Sequence, residues 1–245
     1  MKMDVVWFEG ATPLTKFAPK FKVPIGVGVS GSNGLVDRLT KYVLTLEETI
    51  ISKEELVSPV PKSEADPYRH TQQWKQHNLL DDVVGLEGEH LERFPHDPAI
   101  EELFTVIRTG YLEFLSKLNY PRRKVYIHGW ANVLRDSEWI SKHRHITTEE
   151  SYLACTYYLT TNKTSLYLEN PLVGDVINVP TEEKKLIFFP SWMPHWSDKI
   201  EGDSIRISLA FDIVTESCTI KNPWRPHRLL DDPATMPGLE GLRNK

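Results

Sequence analysis

The sequence predicts a mainly β domain, a sandwich or a barrel, with flanking helices. From Lys124 onward, short β-rich runs are separated by turns at the spacing typical of such folds. Helical periodicity of apolar residues is confined to the first half of the chain. The 245 residues, of which 40% are hydrophobic and 26% charged, are enough to bury a substantial core.

Two helices are predicted in the first half. Ser32 or Asn33 can cap the first helix, whereas Asp97 caps the second and Pro98 suits its first turn. Residues 52–98 contain several prolines and few periodic apolar positions, so we expect them to be irregular. The apolar positions at helical spacing are Leu35, Leu39, Val43 and Leu46 in the first helix and Ile100, Leu103, Phe104, Ile107, Tyr111, Phe114, Leu115 and Leu118 in the second.

Six strands are predicted in the second half. They are Val125–Leu134, Tyr152–Thr160, Ser165–Glu169, Val176–Val179, Leu186–Pro190 and Ile205–Val214. The tail that follows is rich in proline and charged residues. We therefore expect an N-terminal helix-containing extension that packs on the core (1–123), a β core (124–214) and a C-terminal arm or lid (215–245).

Composition narrows the function classes. The net charge of −5 and the lack of a basic block argue against a nucleic-acid partner. Cys155 and Cys218 imply no disulfide framework, which favours a reducing compartment such as the cytoplasm. The first residues do not resemble a signal peptide, and no apolar stretch is long enough for a membrane span. We expect a small-molecule or peptide partner; the sequence also allows a homodimer.

A glycine motif raises a competing interpretation. Residues 26–31 read G-V-G-V-S-G, which fits the dinucleotide-binding pattern, and Glu47 and Glu48 lie near the offset of a ribose-binding acid. However, Pro24 interrupts the preceding strand, and no second β-α-β unit follows. We therefore interpret these residues as a glycine-rich loop near the surface rather than a nicotinamide or flavin site.

Three histidines are candidates for a metal site. His143 and His145 are two residues apart next to a run of strands, and this spacing places both side chains on one face of an extended chain. His195 follows a buried strand, Leu186–Pro190, and a turn. Imidazole suits iron, and non-haem Fe(II) oxygenases use three protein ligands on one face. The alternative is three histidines with unrelated packing roles, as most of the nine histidines lie in polar or irregular stretches.

Several motifs in order resemble one enzyme family. They are Trp130-Ala131-Asn132, His143-Arg144-His145, Thr156–Leu159, Leu186–His195 and Arg206–Phe211. Together they resemble the prolyl-hydroxylase-like branch of the 2-oxoglutarate and Fe(II)-dependent oxygenases. The similarity is closest to a largely uncharacterised group of bacterial and phage oxygenases with a His-x-His element. The resemblance covers residues 124–214, about a third of the chain.

The resemblance implies a double-stranded β-helix core of the jelly-roll or cupin-like type. It assigns His143 and His195 to Fe(II) and Arg206 to the distal carboxylate of 2-oxoglutarate. A guanidinium can meet a carboxylate bidentately, and Ser208, on the same strand face, can add a hydroxyl donor. By the same resemblance, the remaining co-substrate contacts are Tyr158 or Tyr157 and Asn132, although each tyrosine could instead be a core residue.

His145 departs from the family pattern, in which an aspartate or glutamate occupies this position. Three interpretations follow. The metal could be bound by all three histidines, or Glu149 or Glu150 could supply the third ligand. Alternatively, His143 and His195 could bind the metal alone, with His145 next to these ligands or in contact with the substrate. We favour the three-histidine site, because the two-residue spacing already places His143 and His145 on one face.

The resemblance implies an oxygenase that uses Fe(II), 2-oxoglutarate and O2 to hydroxylate an unactivated C–H bond, with release of succinate and CO2. Its substrate could be a protein residue such as proline, an amino acid or a small metabolite. Two alternatives stay open: a cupin-like metal enzyme with three histidines, either a 2-oxoglutarate-independent dioxygenase or an isomerase, and a non-catalytic β-barrel binding module.

Overall fold

A computed structural model of the chain describes residues 2–57, 97–146, 149–221 and 228–243. The strands are β1 (Lys2–Glu9), β2 (Lys22–Val29), β3 (Val125–Leu134), β4 (Leu153–Tyr158), β5 (Ser165–Glu169), β6 (Val176–Pro180), β7 (Lys185–Pro190), β8 (His195–Ser197), β9 (Arg206–Thr215) and β10 (Arg228–Asp231). The helices are α1 (Asn33–Val57), α2 (Pro98–Leu118), α3 (Glu216–Lys221) and α4 (Leu239–Arg243).

Two antiparallel sheets form the fold. The seven-stranded sheet has the order β1-β2-β7-β4-β9-β3-β10, and the three-stranded sheet has the order β6-β5-β8. We call them the major and minor sheets. Along the chain, β4 lies in the major sheet, β5 and β6 pair with each other in the minor sheet, and β7, β8 and β9 lie in the major, minor and major sheets, which is the connectivity of a double-stranded β-helix. The predicted fold class, mainly β with flanking helices, is therefore confirmed.

The major sheet is covered on both faces. Its outer face packs against α1 and α2 in one apolar cluster, and its inner face packs against the minor sheet in a second cluster. The central strands β3 and β9 are consequently buried along almost their whole length. They pair in continuous register from Val125 opposite Thr215 to Leu134 opposite Arg206.

The predicted helices and strands are present. The Ser32 hydroxyl accepts a hydrogen bond from the Leu35 amide at 3.0 Å at the start of α1. Asp97 caps α2 by accepting from the Ala99 amide at 2.8 Å. All six predicted runs are strands, and Val125–Leu134 and Ser165–Glu169 have the predicted bounds. The prediction missed β1, β2, β8 and β10. Of the segment 52–98 that was expected to be irregular, residues 52–57 are instead the last residues of α1, and residues 58–96 lie outside the described residues.

Residues 26–29 of the glycine motif lie in β2, so the interpretation as a surface loop was wrong for them, whereas Ser30 and Gly31 lie in the connection to α1. Pro24 is tolerated in β2 because it lies opposite Trp7 of β1, and pairing with β7 begins only at Gly26. A Cβ atom on Gly26 would come within 2.8 Å of the Phe114 ring of α2. Gly31 has a φ of +101°, which favours glycine. These glycines therefore allow close packing and a turn.

Both ends of the chain contribute to the major sheet. β1 and β2 form one edge, and β10, from the segment expected to be an arm or lid, pairs with β3 at the other. Asp231 at the end of β10 is fully buried and accepts hydrogen bonds from Arg108 of α2 and from Arg122. Within the described ranges, no helix is both long and apolar enough to cross a membrane.

Candidate metal centre

The minor sheet positions the three candidate histidines. His195 is the first residue of β8, where it lies opposite Leu168 of β5. His143 and His195 exchange two backbone hydrogen bonds of 3.0 Å, and the His145 amide donates to the Ser191 carbonyl at 3.0 Å. The segment 143–145 is thus not a regular strand but an extended stretch with a single bridge to β8. It nevertheless brings both side chains to the same site.

The three imidazoles converge. The Nε2 atoms of His143 and His145 are 3.3 Å apart, and one nitrogen from each of the three rings lies within 4.8 Å of the others. Two nitrogen ligands of one ion can have such a separation, since each would be about 2.1 Å from it. Glu149 and Glu150 do not belong to this group of ligand atoms, which the described residues form from histidines alone. The histidine triad is therefore positioned to bind a metal.

Each of the three rings is oriented through its Nδ1 atom. Nδ1 of His143 donates to the Ser141 carbonyl at 2.8 Å, and Nδ1 of His195 donates to the Met193 carbonyl at 2.9 Å. Nδ1 of His145 lies 2.5 Å from the Asp212 carboxylate. Because a carbonyl can only accept, the Nδ1 atoms of His143 and His195 carry the protons, which leaves Nε2 lone pairs in the neutral rings.

The hydrogen bonds and the nitrogen positions of the three rings show whether these residues fit a metal ion. If the three rings are neutral, the Nε2 atoms of His143 and His145 both carry a lone pair and lie only 3.3 Å apart. Such lone pairs repel unless a cation lies between them. Metal-bound histidines usually donate the other ring N–H to a carbonyl or a carboxylate, as all three do here. The donor set and its orientation therefore fit a divalent metal ion that accepts imidazole.

A pocket of about 170 Å³ opens beside the histidines. It is much smaller than the roughly 300–1,000 Å³ of pockets for drug-sized ligands. The inner faces of β3, β4 and β9 form much of its wall. Besides the histidines, its lining residues are Trp130, Asn132, Ile140, Ser141, Thr156, Tyr158, Leu166, Trp196, Ser197, Arg206, Ser208 and Ala210.

Arg206 lies in this pocket with most of its hydrogen-bond donors unused. Its side chain is buried, with 1% of the residue exposed, and Nη2 donates to the Tyr158 hydroxyl at 3.1 Å. Nε and Nη1 have no hydrogen-bond partner among the described residues. An unsatisfied buried donor on a charged group costs several kcal/mol at most sites, so its presence points to an anionic ligand. The pocket therefore fits a small molecule with a carboxylate.

Polar side chains cross the sheet next to Arg206. Ser208 of β9 lies between Asn132 of β3 and Tyr158 of β4 in the strand register, and all three line the pocket. Their buried hydroxyl and amide groups can contact the same ligand as Arg206. The structure thus brings together Asn132, Tyr158, Arg206 and Ser208.

Tyr157 is not part of this pocket. It lies on the outer face of the major sheet, where its hydroxyl donates to the Ser30 carbonyl at 2.8 Å. Burial there raises the pKa of the Tyr157 phenol well above its ordinary value. Of the two tyrosines that the sequence offered, only Tyr158 is brought to the pocket.

The sequence analysis did not assign several residues of the site, although Trp130 and Thr156 lie within the motifs that carry the resemblance. Asp212 contacts His145, while Trp130, Thr156 and Trp196 line the pocket. The sequence did contain a signal for Asp212. It is an even number of residues from Arg206 and Ser208, so its side chain lies on the same face of β9. Trp196 had no such signal, because β8 is only three residues long.

Several solved structures are similar to this chain. An oxidoreductase of the 2OG-Fe(II) oxygenase family from Burkholderia pseudomallei is 13% identical over 55% of this chain and 65% of its own, with a TM-score of 0.42. A prolyl-4-hydroxylase from Pseudomonas putida is 13% identical over 49% of this chain and 69% of its own, with a TM-score of 0.40. AviO1 from Streptomyces viridochromogenes is 14% identical over 87% of this chain and 92% of its own, with a TM-score of 0.48.

The chain therefore spans slightly less than two thirds of the length of the Burkholderia protein. The structures that it resembles include members of the 2-oxoglutarate and Fe(II)-dependent oxygenases. No protein-family model matches the sequence, and no curated protein sequence matches it.

Proposed function

We propose that the protein is a non-haem dioxygenase that uses Fe(II), 2-oxoglutarate and O2 to hydroxylate an unactivated C–H bond. The observation that carries the proposal is a buried arginine with unused donors in the pocket beside three convergent histidines. The first group suits a carboxylate and the second suits a metal ion, and a 2-oxoglutarate oxygenase needs both in one pocket.

His143, His145 and His195 would hold the iron. Their Nδ1 hydrogen bonds leave Nε2 as the ligand atom of each ring, and one nitrogen from each ring lies within 4.8 Å of the others. When bound, Fe(II) with 2-oxoglutarate would supply the oxidation of a C–H bond by O2, with release of succinate and CO2. With three protein ligands, the ion would keep further positions for small molecules that enter from the pocket.

Arg206 would bind the distal carboxylate of 2-oxoglutarate. Its Nε and Nη1 donors are available to a planar carboxylate, and the Tyr158 hydroxyl holds Nη2 in place. Ser208 and Asn132 would donate to the same co-substrate from neighbouring strands. Because these groups are buried and already positioned, little side-chain freedom is lost when the co-substrate binds.

The substrate would bind at the open side of the pocket. The pocket itself has a size suited to a compact co-substrate. His143 and Trp196 are partly exposed, so the reacting carbon can approach from their side. We propose a protein residue such as proline, an amino acid or a small metabolite as the substrate. Both cysteines are thiols, which accords with the reducing cytoplasm as the location.

A second candidate function is favoured by the donor set. The group of metal-ligand atoms in the described residues contains three histidines and no carboxylate. A cupin-like enzyme that needs no 2-oxoglutarate, a dioxygenase or an isomerase, could use this set, and Arg206 would then bind the substrate. The two candidates differ in whether 2-oxoglutarate binds to the metal.

An anaerobic titration tests the proposal. Fe(II) and then 2-oxoglutarate are added to the apo protein while the visible absorption is recorded. We expect a charge-transfer band that needs both additions and is absent in His195→Ala. Iron binding without this band would contradict the co-substrate and favour the cupin-like enzyme. Failure to retain any iron would contradict both enzymes and favour a non-catalytic binding module. Urea unfolding of apo His195→Ala checks that the variant is folded.

A further inference from the structure

We infer that Asp212 supplies, through the ring of His145, the negative charge that a carboxylate ligand would otherwise bring to the iron. The inference rests on the proposed function, because it requires the iron centre at His143, His145 and His195. It assigns Asp212 as a positioning residue: it would act on the metal only through His145.

The contact between these two residues is short and shielded from water. The Asp212 carboxylate lies 2.5 Å from Nδ1 of His145, and both side chains are 9% exposed. Nε2 of His145 is on the opposite side of the ring and faces His143. Asp212 is therefore separated from the metal position by the width of an imidazole and does not belong to the group of direct ligands.

His145 differs from the other two histidines in the group that orients it. His143 and His195 each donate to the backbone carbonyl two residues earlier, at Ser141 and Met193. These acceptors are neutral and local. The acceptor for His145 is a charged side chain from β9 of the major sheet. His145, which stands where the related enzymes have an acidic ligand, is thus the histidine that contacts a buried carboxylate.

The charges explain why this pairing matters. Three neutral imidazoles leave the 2+ charge of Fe(II) uncompensated, whereas a carboxylate ligand would reduce it to 1+. Asp212 places a negative charge directly behind one ligand, in a buried setting where charges are weakly screened. A hydrogen bond to a carboxylate also makes the imidazole a stronger donor to the metal. The net charge of the centre then equals that of a site with two histidines and one carboxylate.

The position of Asp212 on β9 links the two ends of the pocket. Arg206, Ser208 and Asp212 have the same parity and lie on the inner face of one strand. Arg206 would hold the far carboxylate of the co-substrate, and Asp212 lies at the metal end. One strand therefore sets both the anion site and the charge at the metal.

The test is a mutant cycle read by metal affinity, without any assay of activity. The anaerobic dissociation constant for Fe(II) is measured by chelator competition for wild type, Asp212→Asn, His145→Asp and the double variant. Asp212→Asn keeps an oxygen acceptor of the same size but removes the charge. We expect it to weaken Fe(II) binding by about 10- to 100-fold. In the His145→Asp background, we expect the same substitution to strengthen binding, because it relieves repulsion between two carboxylates.

The sign of the second effect separates an electrostatic role from a structural one. Equal weakening in both backgrounds would show that Asp212 only supports β9, and an unchanged dissociation constant in the wild-type background would overturn the inference directly. Asp231→Asn is the matched control: Asp231 is a fully buried aspartate that pairs with Arg108 and Arg122, away from the histidines. We expect Asp231→Asn to lower stability and leave Fe(II) affinity unchanged.

A measurement on the wild-type protein keeps the inference testable if a variant does not fold. In the Co(II)-loaded protein, paramagnetically shifted proton spectra should contain three exchangeable ring N–H signals, one for each Nδ1 donor. Two signals would show that His145 is not a ligand held by Asp212, and would overturn the inference. Because Fe(II) affinity is measured without 2-oxoglutarate, the cycle can succeed even if the charge-transfer band is absent. That outcome would contradict the proposed reaction alone.

Discussion

Arg108 and Arg206 are both buried in this protein, but their surroundings differ. Arg108 of α2 is 3% exposed and donates to the Leu230 carbonyl at 3.0 Å, the Asp231 carboxylate at 2.9 Å and the Pro237 carbonyl at 2.7 Å. Arg206 of β9 is 1% exposed, and the one side-chain hydrogen bond that it makes within the described part of the chain goes to a tyrosine hydroxyl.

The difference separates a buried charge that is satisfied within the fold from one whose donors are available to a ligand. A buried charge is stable when it is paired and its donors are satisfied, and Arg108 meets both conditions inside the protein. Arg206 does not, so the folded protein carries an electrostatic cost that a bound anion would remove. Removing Arg206 should therefore weaken ligand binding without lowering stability. Removing Arg108 should lower stability without changing ligand binding.

Arg206→Met should produce the largest change in ligand binding. Removal of one partner of a buried charge pair costs about 2–5 kcal/mol, so the dissociation constant for 2-oxoglutarate should rise between about 30- and 5,000-fold. The free energy of unfolding of the apo protein should stay unchanged or increase, since an unpaired charge is replaced by an apolar group. Calorimetric titration of the Mn(II)-loaded protein and urea unfolding of the apo protein measure the two effects. Strong destabilisation of the apo protein would show that Arg206 has a structural role.

Arg108→Met should give the reverse result. The substitution leaves Asp231 with Arg122 alone and removes the donor to the Leu230 and Pro237 carbonyls. Because Asp231 keeps Arg122, we expect a loss of about 3 kcal/mol of unfolding free energy, the lower end of the range for breaking a buried pair. The affinity for 2-oxoglutarate in the folded protein should not change, because Arg108 lies on the other side of the major sheet. If a fully folded Arg108→Met protein bound 2-oxoglutarate more weakly than the wild type, Arg108 would also have a role in binding, and the proposed difference between the two arginines would be wrong.

Tyr158 and Tyr157 allow a similar comparison, in which we expect a smaller change in 2-oxoglutarate affinity than for Arg206→Met. Tyr158→Phe removes the hydroxyl that contacts Arg206, and hydrogen bonds to charged groups contribute about 1.5–3 kcal/mol. We expect 2-oxoglutarate to bind about 10- to 150-fold more weakly. Tyr157→Phe is the matched control. It removes the hydrogen bond to Ser30, so it should cost about 0.5–1.5 kcal/mol of stability and leave affinity unchanged. If both variants weaken binding alike, Tyr158 has no special role.

A surface arginine should show the smallest effect. Arg228 pairs with Glu101, and the two side chains are 27% and 42% exposed. Exposed pairs contribute at most about 1 kcal/mol and are screened by salt. Glu101→Gln should therefore cause only a small shift in the midpoint of urea unfolding, and this shift should be smaller still at high ionic strength. A loss as large as that of Arg108→Met would mean that pairing, rather than burial, decides the contribution of an arginine in this protein.

Local signals in the sequence predicted most of the fold. The capping residues Ser32 and Asp97, the helical spacing of apolar residues and the turn-separated β runs correspond to α1, α2 and six strands. The edge strand β1 was missed because only Met3 and Phe8 of its eight residues are buried, which leaves no regular apolar alternation. The edge strand β10 was missed because it is only four residues long and pairs with β3, which is distant in the chain. Pro24 argued against β2, and only the local absence of a β7 partner makes it acceptable there.

The site could be predicted in part. Spacing and resemblance pointed to the three histidines, Arg206, Ser208 and Asn132, and the structure brings all of them to one pocket. The choice between Tyr157 and Tyr158 was beyond the sequence, because both faces of β4 are buried and no polar alternation marks the inner one. The contact between His145 and Asp212 joins residues that are distant in sequence and lie in different parts of the fold, so only the three-dimensional structure reveals it.

The most direct test of the account compares 2-oxoglutarate with 2-oxopentanoate, which lacks the distal carboxylate. Dissociation constants for both ligands are measured on the Mn(II)-loaded wild type and on Arg206→Met. We predict that the wild type prefers 2-oxoglutarate by at least about 30-fold and that Arg206→Met has lost this preference. Equal affinities in the wild type, or a preference that persists in Arg206→Met, would contradict the claim that Arg206 is kept unpaired for the carboxylate of a co-substrate.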